Sequence, residues 1–236
     1  MRNICSYIRT ELSSHTDEAH RESTKRFFRE GVKSLGVPTA IVNTLAKKYY
    51  QLIKNENKAF IYQQCESLWQ SGIMEEAITA CNWSYAARKK FEPDDYDVFI
   101  RWLKNYVTNW ATCDTFCNHT FGTFIEMYPE YCLKLKEETN SPNRWVRRGT
   151  AVTFIVPARK GKFLKTIFEI SDRLLTDNDD MVQKGCGWVL KEACKQNQEE
   201  VFSYIIIRKA KMPRTILRYA IEKMPQELKL EAMKRG

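Results

Sequence analysis

Long apolar runs are missing from this sequence. None of its 236 residues lies in a stretch approaching the roughly 20 apolar positions that span a bilayer. The opening "MRNICSYIRTELSSHTDEAHRE" puts charges where a secretory signal would carry its apolar segment. A cytoplasmic protein with no membrane partner is expected. Histidine is scarce, at three residues, and no two cysteines are spaced as a CxxC pair. Cys113, Cys117 and His119 lie close together but lack a fourth ligand, so no zinc site is expected. The eight cysteines are scattered without a compact framework, as where thiols stay reduced, and disulfides are not expected. A glycine-rich phosphate loop, a GxSxG elbow and a paired-carboxylate arrangement are all absent, which leaves nucleotide hydrolysis and esterase chemistry without support. No metal and no cofactor are called for. Period-2 alternation with β-branched runs is almost absent too, which argues against a sheet.

What is present is helical. Apolar residues recur at helical spacing in "IVNTLAKKYYQLI", "EEAITACNWSYAARKKF", "DYDVFIRWLKNYV", "GKFLKTIFEISDRLL" and "MVQKGCGWVLKEACK". Breakers fall between them: Gly36-Val37-Pro38, Pro93-Asp94-Asp95, Pro129, Asn140 to Asn143, Asp177 to Asp179, Pro213 and Pro225. About a dozen helices of ordinary length are expected. With 43% hydrophobic and 28% charged residues, the chain has material for a sizeable core. No linker interrupts it, and a single domain over residues 1–236 is expected.

Landmarks repeat along the chain. Laying "RWVRRGTAVTFIVPA" from Arg144 over "DMVQKGCGWVLKEAC" from Asp180 aligns Val146 with Val182, Arg148 with Lys184 and Gly149 with Gly185, a shift of 36 residues (182 − 146). Trp145 lies 35 residues after Trp110 (145 − 110). A period in the thirties or forties predicts an all-α, HEAT-like helical-repeat solenoid. Equivalent helices of a solenoid line one concave surface. Trp110 and Asp114, then Arg147 and Arg148, then Lys184, Trp188 and Lys191 would therefore converge on one groove of aromatic faces, cations and a single carboxylate. The net charge of +9, from 38 Lys plus Arg against 29 Asp plus Glu, suits a polyanionic partner. Lys25, Arg26, Arg29 and Lys33 add cations early in the chain, with further ones at 159–165 and 208–218. The groove reads as basic and shaped for duplex DNA.

The segments "NWATCDTFCNHTFGTFIEMYPE", "NRWVRRGTAVTFI" and "MVQKGCGWVLKEACK", in this order and spacing, resemble the AlkD-type DNA alkylation repair glycosylases; "TKRFFREGVKSLGVP" resembles their N-terminal helix region. The likeness covers about residues 20 to 205. It implies a HEAT-like solenoid that removes cationic alkylated purines such as 3-methyladenine and 7-methylguanine from double-stranded DNA. A monomer is expected. By matching positions, the resemblance makes Trp110 and Trp188 the lesion-flanking aromatics, Asp114 the catalytic carboxylate and Arg148 the phosphate-gripping arginine. Two positions depart from the pattern: Phe27 stands where a tyrosine is expected and Lys191 where an arginine is. The first loses a hydrogen-bond donor, and the second keeps the charge without the bidentate fork.

Two other readings fit parts of the sequence. A DNA-binding solenoid without catalysis would use the same basic groove but would leave Asp114 unexplained. An α-solenoid adaptor for protein partners would show no preference for DNA.

Overall fold

The computed structural model describes residues 4–234. It is an all-α helical-repeat fold, with α-helices joined by short turns and 3-10 segments and no strand among the described residues; one isolated bridge pairs Lys33 with Ile73. The chain divides between Phe116 and Cys117 into two compact units, each with buried apolar residues of its own.

The first unit holds α1 (Ile4–Ser14), α2 (Glu18–Lys25), α3 (Thr39–Tyr50), α4 (Lys58–Trp69), α5 (Met74–Ala86), α6 (Asp95–Asn105) and α7 (Trp110–Thr115). Helix α5 packs on α3, α4 and α7, and α1 packs on α3 and α4. Large rings fill the space between α4 and α6: Trp69, Trp102, Phe99 and Phe116 are fully buried and meet edge to face or tilted. Polar anchors fix the layers. The Trp83 indole N–H donates to the Ala46 carbonyl at 2.9 Å. The buried Glu75 carboxylate, in the first turn of α5, accepts from Ser34 Oγ at 2.6 Å and from the backbone N–H groups of Leu35, Gly36 and Val37 at 3.0, 2.9 and 3.2 Å. Four donors on one carboxylate satisfy a charge that burial would otherwise make costly. Gly36 in that turn has φ +82, and a Cβ there would lie 2.3 Å from the Asp17 carbonyl oxygen.

The second unit holds α8 (Gly122–Met127), α9 (Cys132–Glu137), α10 (Arg144–Val152), α11 (Ile155–Arg159), α12 (Leu164–Leu174), α13 (Asp180–Ala193), α14 (Gln198–Arg208), α15 (Arg214–Ala220) and α16 (Gln226–Met233). Helix α13 is its centre, packed on α10, α11, α12 and α15. The approach to α15 is close: a Cβ on Gly187 would sit 2.5 Å from Tyr219 Cβ and 2.8 Å from the Ile216 carbonyl oxygen. Asn143 and Asp179 cap α10 and α13 with side-chain oxygens that accept from Trp145 and Met181 N–H, at 2.9 Å in each case. The two caps stand at the 36-residue shift of the sequence alignment, so the repeat in sequence is a repeat of helix starts.

Ion pairs follow the same period. In the first unit Arg101 reaches Glu66, 35 residues away. In the second, Lys160 reaches Glu126 across 34 residues, Arg159 reaches Glu192 across 33 and Arg208 reaches Asp172 across 36. Each joins one helix pair to the next. All eight cysteines are buried and none is in a disulfide. No helix among the described residues is long and apolar enough to cross a membrane.

Candidate functional site

The tryptophans separate into two groups. Trp69, Trp83, Trp102 and Trp145 are buried, at 1%, 0%, 0% and 6% exposure. Trp110 and Trp188 are only partly covered, and these are the two that the sequence singles out.

Trp110 opens α7 because Asn109, buried at the cap, accepts the Thr112 N–H at 3.0 Å. Asp114 follows one turn later on the same face, partly exposed. One side of the Trp110 indole is stacked on Phe28 with ring centroids 5.2 Å apart and planes 11° apart. Its ring N–H donates to the Phe27 carbonyl at 3.3 Å. The turn after α2 thus sends its two phenylalanines opposite ways: Phe28 goes inward under Trp110, and Phe27 outward, 70% exposed. Arg26, Arg29 and Lys33 are exposed around the same turn. Lys25 is exposed as well and pairs with Glu22 at 2.5 Å. In the first unit the fold therefore brings Trp110, Asp114 and the Phe27 turn together. A cleft of about 570 Å³ between α4 and α6, lined in part by Glu66, Arg101 and Trp102, contains none of the predicted residues.

In the second unit α10 and α13 carry the rest. Arg148 is 4% exposed. Its Nη1 donates to the Met181 carbonyl, and its stem lies on Gly185, where a Cβ would meet Arg148 Cγ at 3.2 Å. The glycine aligned with Gly149 in the sequence thus makes room for the arginine. Arg147 is committed within the unit: Nε donates to Asp177 at 2.6 Å and Nη1 to the Ser141 carbonyl at 2.9 Å. Lys184 pairs with Asp180 at 2.6 Å, one turn away. Lys191 pairs with Glu222 at 2.9 Å and lies 5.8 Å from the centre of the Tyr219 ring. Trp188 donates its ring N–H to Glu192 at 3.2 Å.

Glu192 was not singled out from the sequence, although a carboxylate four residues after Trp188 on one helix face is the signal that could have found it. It is 5% exposed. Arg159 and Lys195 hold it at 2.7 and 2.5 Å. Burial pushes its carboxyl up, but hydrogen bonds from Arg159, Lys195 and the indole outweigh that and bring it down to about 2. A second feature missed was the π-helical stretch Phe116–Phe121, which begins two residues after Asp114.

A family model described as DNA alkylation repair enzyme matches residues 8–224. The chain belongs to that family. The match covers all of the candidate residues. Among solved structures, one described as a predicted DNA alkylation repair enzyme from Enterococcus faecalis superposes with a TM-score of 0.80, covering 90% of this chain and 98% of that one at 14% identity. At that identity the likeness is one of fold. No curated protein matches the sequence. Membership of the DNA alkylation repair family points to DNA as the partner.

Proposed function

We propose that this DNA alkylation repair family member is a monofunctional DNA glycosylase, acting as a monomer on cationic N-alkylated purines such as 3-methyladenine and 7-methylguanine in duplex DNA. The observation that carries the reading is the selective exposure of Trp110 and Trp188 in a chain that buries its other four tryptophans, with a carboxylate one turn from Trp110. An alkylated purine is positively charged, so its bond to the sugar is already weak. The C1′–N bond breaks with its electron pair leaving on the base, which departs neutral, and positive charge develops on the sugar. Asp114 stabilises that charge and orients a water toward C1′, taking its proton as the C1′–O bond forms. The indole faces attract the cationic base before it leaves, by roughly 0.5 to 2 kcal/mol each. Within the first unit the carboxylate, Trp110 and the Phe27 turn are the candidate groups; within the second they are Trp188 and the arginine and lysine side chains of α10 and α13. Phe27, lacking a phenol, offers an apolar ring where a hydroxyl would donate.

The test is incubation of the purified protein, with chelator present, with duplexes carrying 7-methylguanine or 3-methyladenine, followed by quantification of released base. Free base and an equal yield of abasic sites are expected. Salt-sensitive DNA binding with no base released would instead make the protein a non-catalytic family member.

A further inference from the structure

Trp188 is held by a group that no part of the excision chemistry requires. Glu192 lies one helical turn beyond it on α13 and accepts its ring N–H at 3.2 Å. Glu192 is itself fixed from the other side, by Arg159 Nε at 2.7 Å and Lys195 Nζ at 2.5 Å. Arg159 comes from α11 and Lys195 from the turn just after α13, so the carboxylate, itself on α13, is a junction between the two helices. Its side chain is 7% exposed while those of Arg159 and Lys195 are 43% and 48% exposed. A carboxylate that burial disfavours is retained at a point where it accepts from the indole of a candidate base-facing ring.

Two roles are open to such a group. It could attract a cationic base through its charge, or fix the ring through its hydrogen bond. The first fails on charge: one carboxylate between two cations leaves a net positive cluster, which does not draw a cation. The second is supported by the other exposed tryptophan, for Trp110 is also steadied through its ring N–H, by the Phe27 carbonyl at 3.3 Å, and by the stacked Phe28. An indole pinned by its N–H has lost the rotamer freedom that would otherwise oppose a contact with the base. We infer that Glu192 is a positioning residue, which holds the Trp188 indole in the orientation that meets the damaged base. This rests on the glycosylase reading above, in which Trp188 faces the lesion.

A double-mutant cycle between Glu192 and Trp188 tests it, with release of 7-methylguanine under single turnover as the readout. Glu192→Ala removes the acceptor and is expected to slow release about tenfold, within the range that contacting pairs show in such cycles. Glu192→Gln retains an acceptor oxygen and should rescue the rate to within about threefold of wild type, since orientation and not charge is at stake. In a Trp188→Phe background, which has no ring N–H to hold, Glu192→Ala should change the rate by less than about twofold. Equal losses in both backgrounds, or a Gln variant as slow as Ala, would overturn the inference. Circular dichroism and thermal unfolding identify any variant that fails to fold, and a second readout covers that case: the indole N–H resonance of Trp188, assigned by its loss in Trp188→Phe, should move in Glu192→Gln. An unmoved resonance overturns the hydrogen bond itself. If wild type releases no base, the glycosylase reading fails, whereas failure of the cycle with an active wild type removes only the role of Glu192.

Discussion

At the scale of single residues, four positions show how context assigns a role. Gly187 exists where it does because α13 and α15 touch, so Gly187→Ala, with its methyl 2.5 Å from Tyr219 Cβ, is expected to destabilise the fold by about 1–3 kcal/mol, read from denaturant unfolding. Glu192 carries a pH signature. Its ordinary value of 4.5 falls to about 2 in the fold, so the folded state binds the proton more weakly than the unfolded chain. The stability this gives is complete above about pH 4.5 and is lost as pH falls from there through about 2. Thermal midpoints across that window should therefore fall less steeply in Glu192→Gln than in wild type. Arg147 and Arg148 look alike in sequence and differ in the fold, because one is clasped by Asp177 and the other is laid over Gly185. Nothing local in "RWVRRGT" distinguishes them, since Asp177 and Gly185 lie 30 and more residues away.

At the scale of elements, the helices were legible where apolar spacing and breakers coincide. Asn109, Asn143 and Asp179 each stand immediately before a helix whose N–H groups they cap, as their residue types suggest. The repeat was legible because α10 and α13 carry the same cap, arginine or lysine, and glycine in the same order. The π-helical stretch Phe116–Phe121 was not, since wider i to i+5 hydrogen bonding has no composition of its own. Nor was the Ser34–Val37 turn: its organiser, Glu75, reads in the sequence as one acid of an exposed "MEEA" helix start. Glu75→Ala strips four donors of their acceptor, and a loss of about 3 kcal/mol is expected, read from urea unfolding. Loss of order in the Ser34–Val37 turn should accompany it as faster amide exchange over residues 34–37. Unchanged exchange there would show that the turn stands without the carboxylate.

At the scale of the whole molecule, the net charge of +9 overstates what is available to DNA, because many cations are spent joining successive helix pairs. The charge sum could be read from composition, but the pairing between helices could not, since partners such as Arg147 and Asp177 or Arg208 and Asp172 lie 30 and 36 residues apart. The consequence is measurable in the salt dependence of DNA affinity, whose slope follows the number of phosphates neutralised. Arg29→Ala, at an exposed position, should flatten that slope by about one with little change in stability. Arg147→Ala should lower stability by about 3 kcal/mol, because it leaves the mostly buried Asp177 unpaired. The central claim, that Asp114 drives departure of a cationic base, is tested most directly by single-turnover release of 7-methylguanine from duplex DNA by wild type and Asp114→Asn side by side, with chelator present and duplex affinity measured in parallel. The account predicts that the variant binds the duplex as wild type does and releases base at least about a hundredfold more slowly, within the range expected for a group acting in the transition state. Equal release by the two proteins would contradict it.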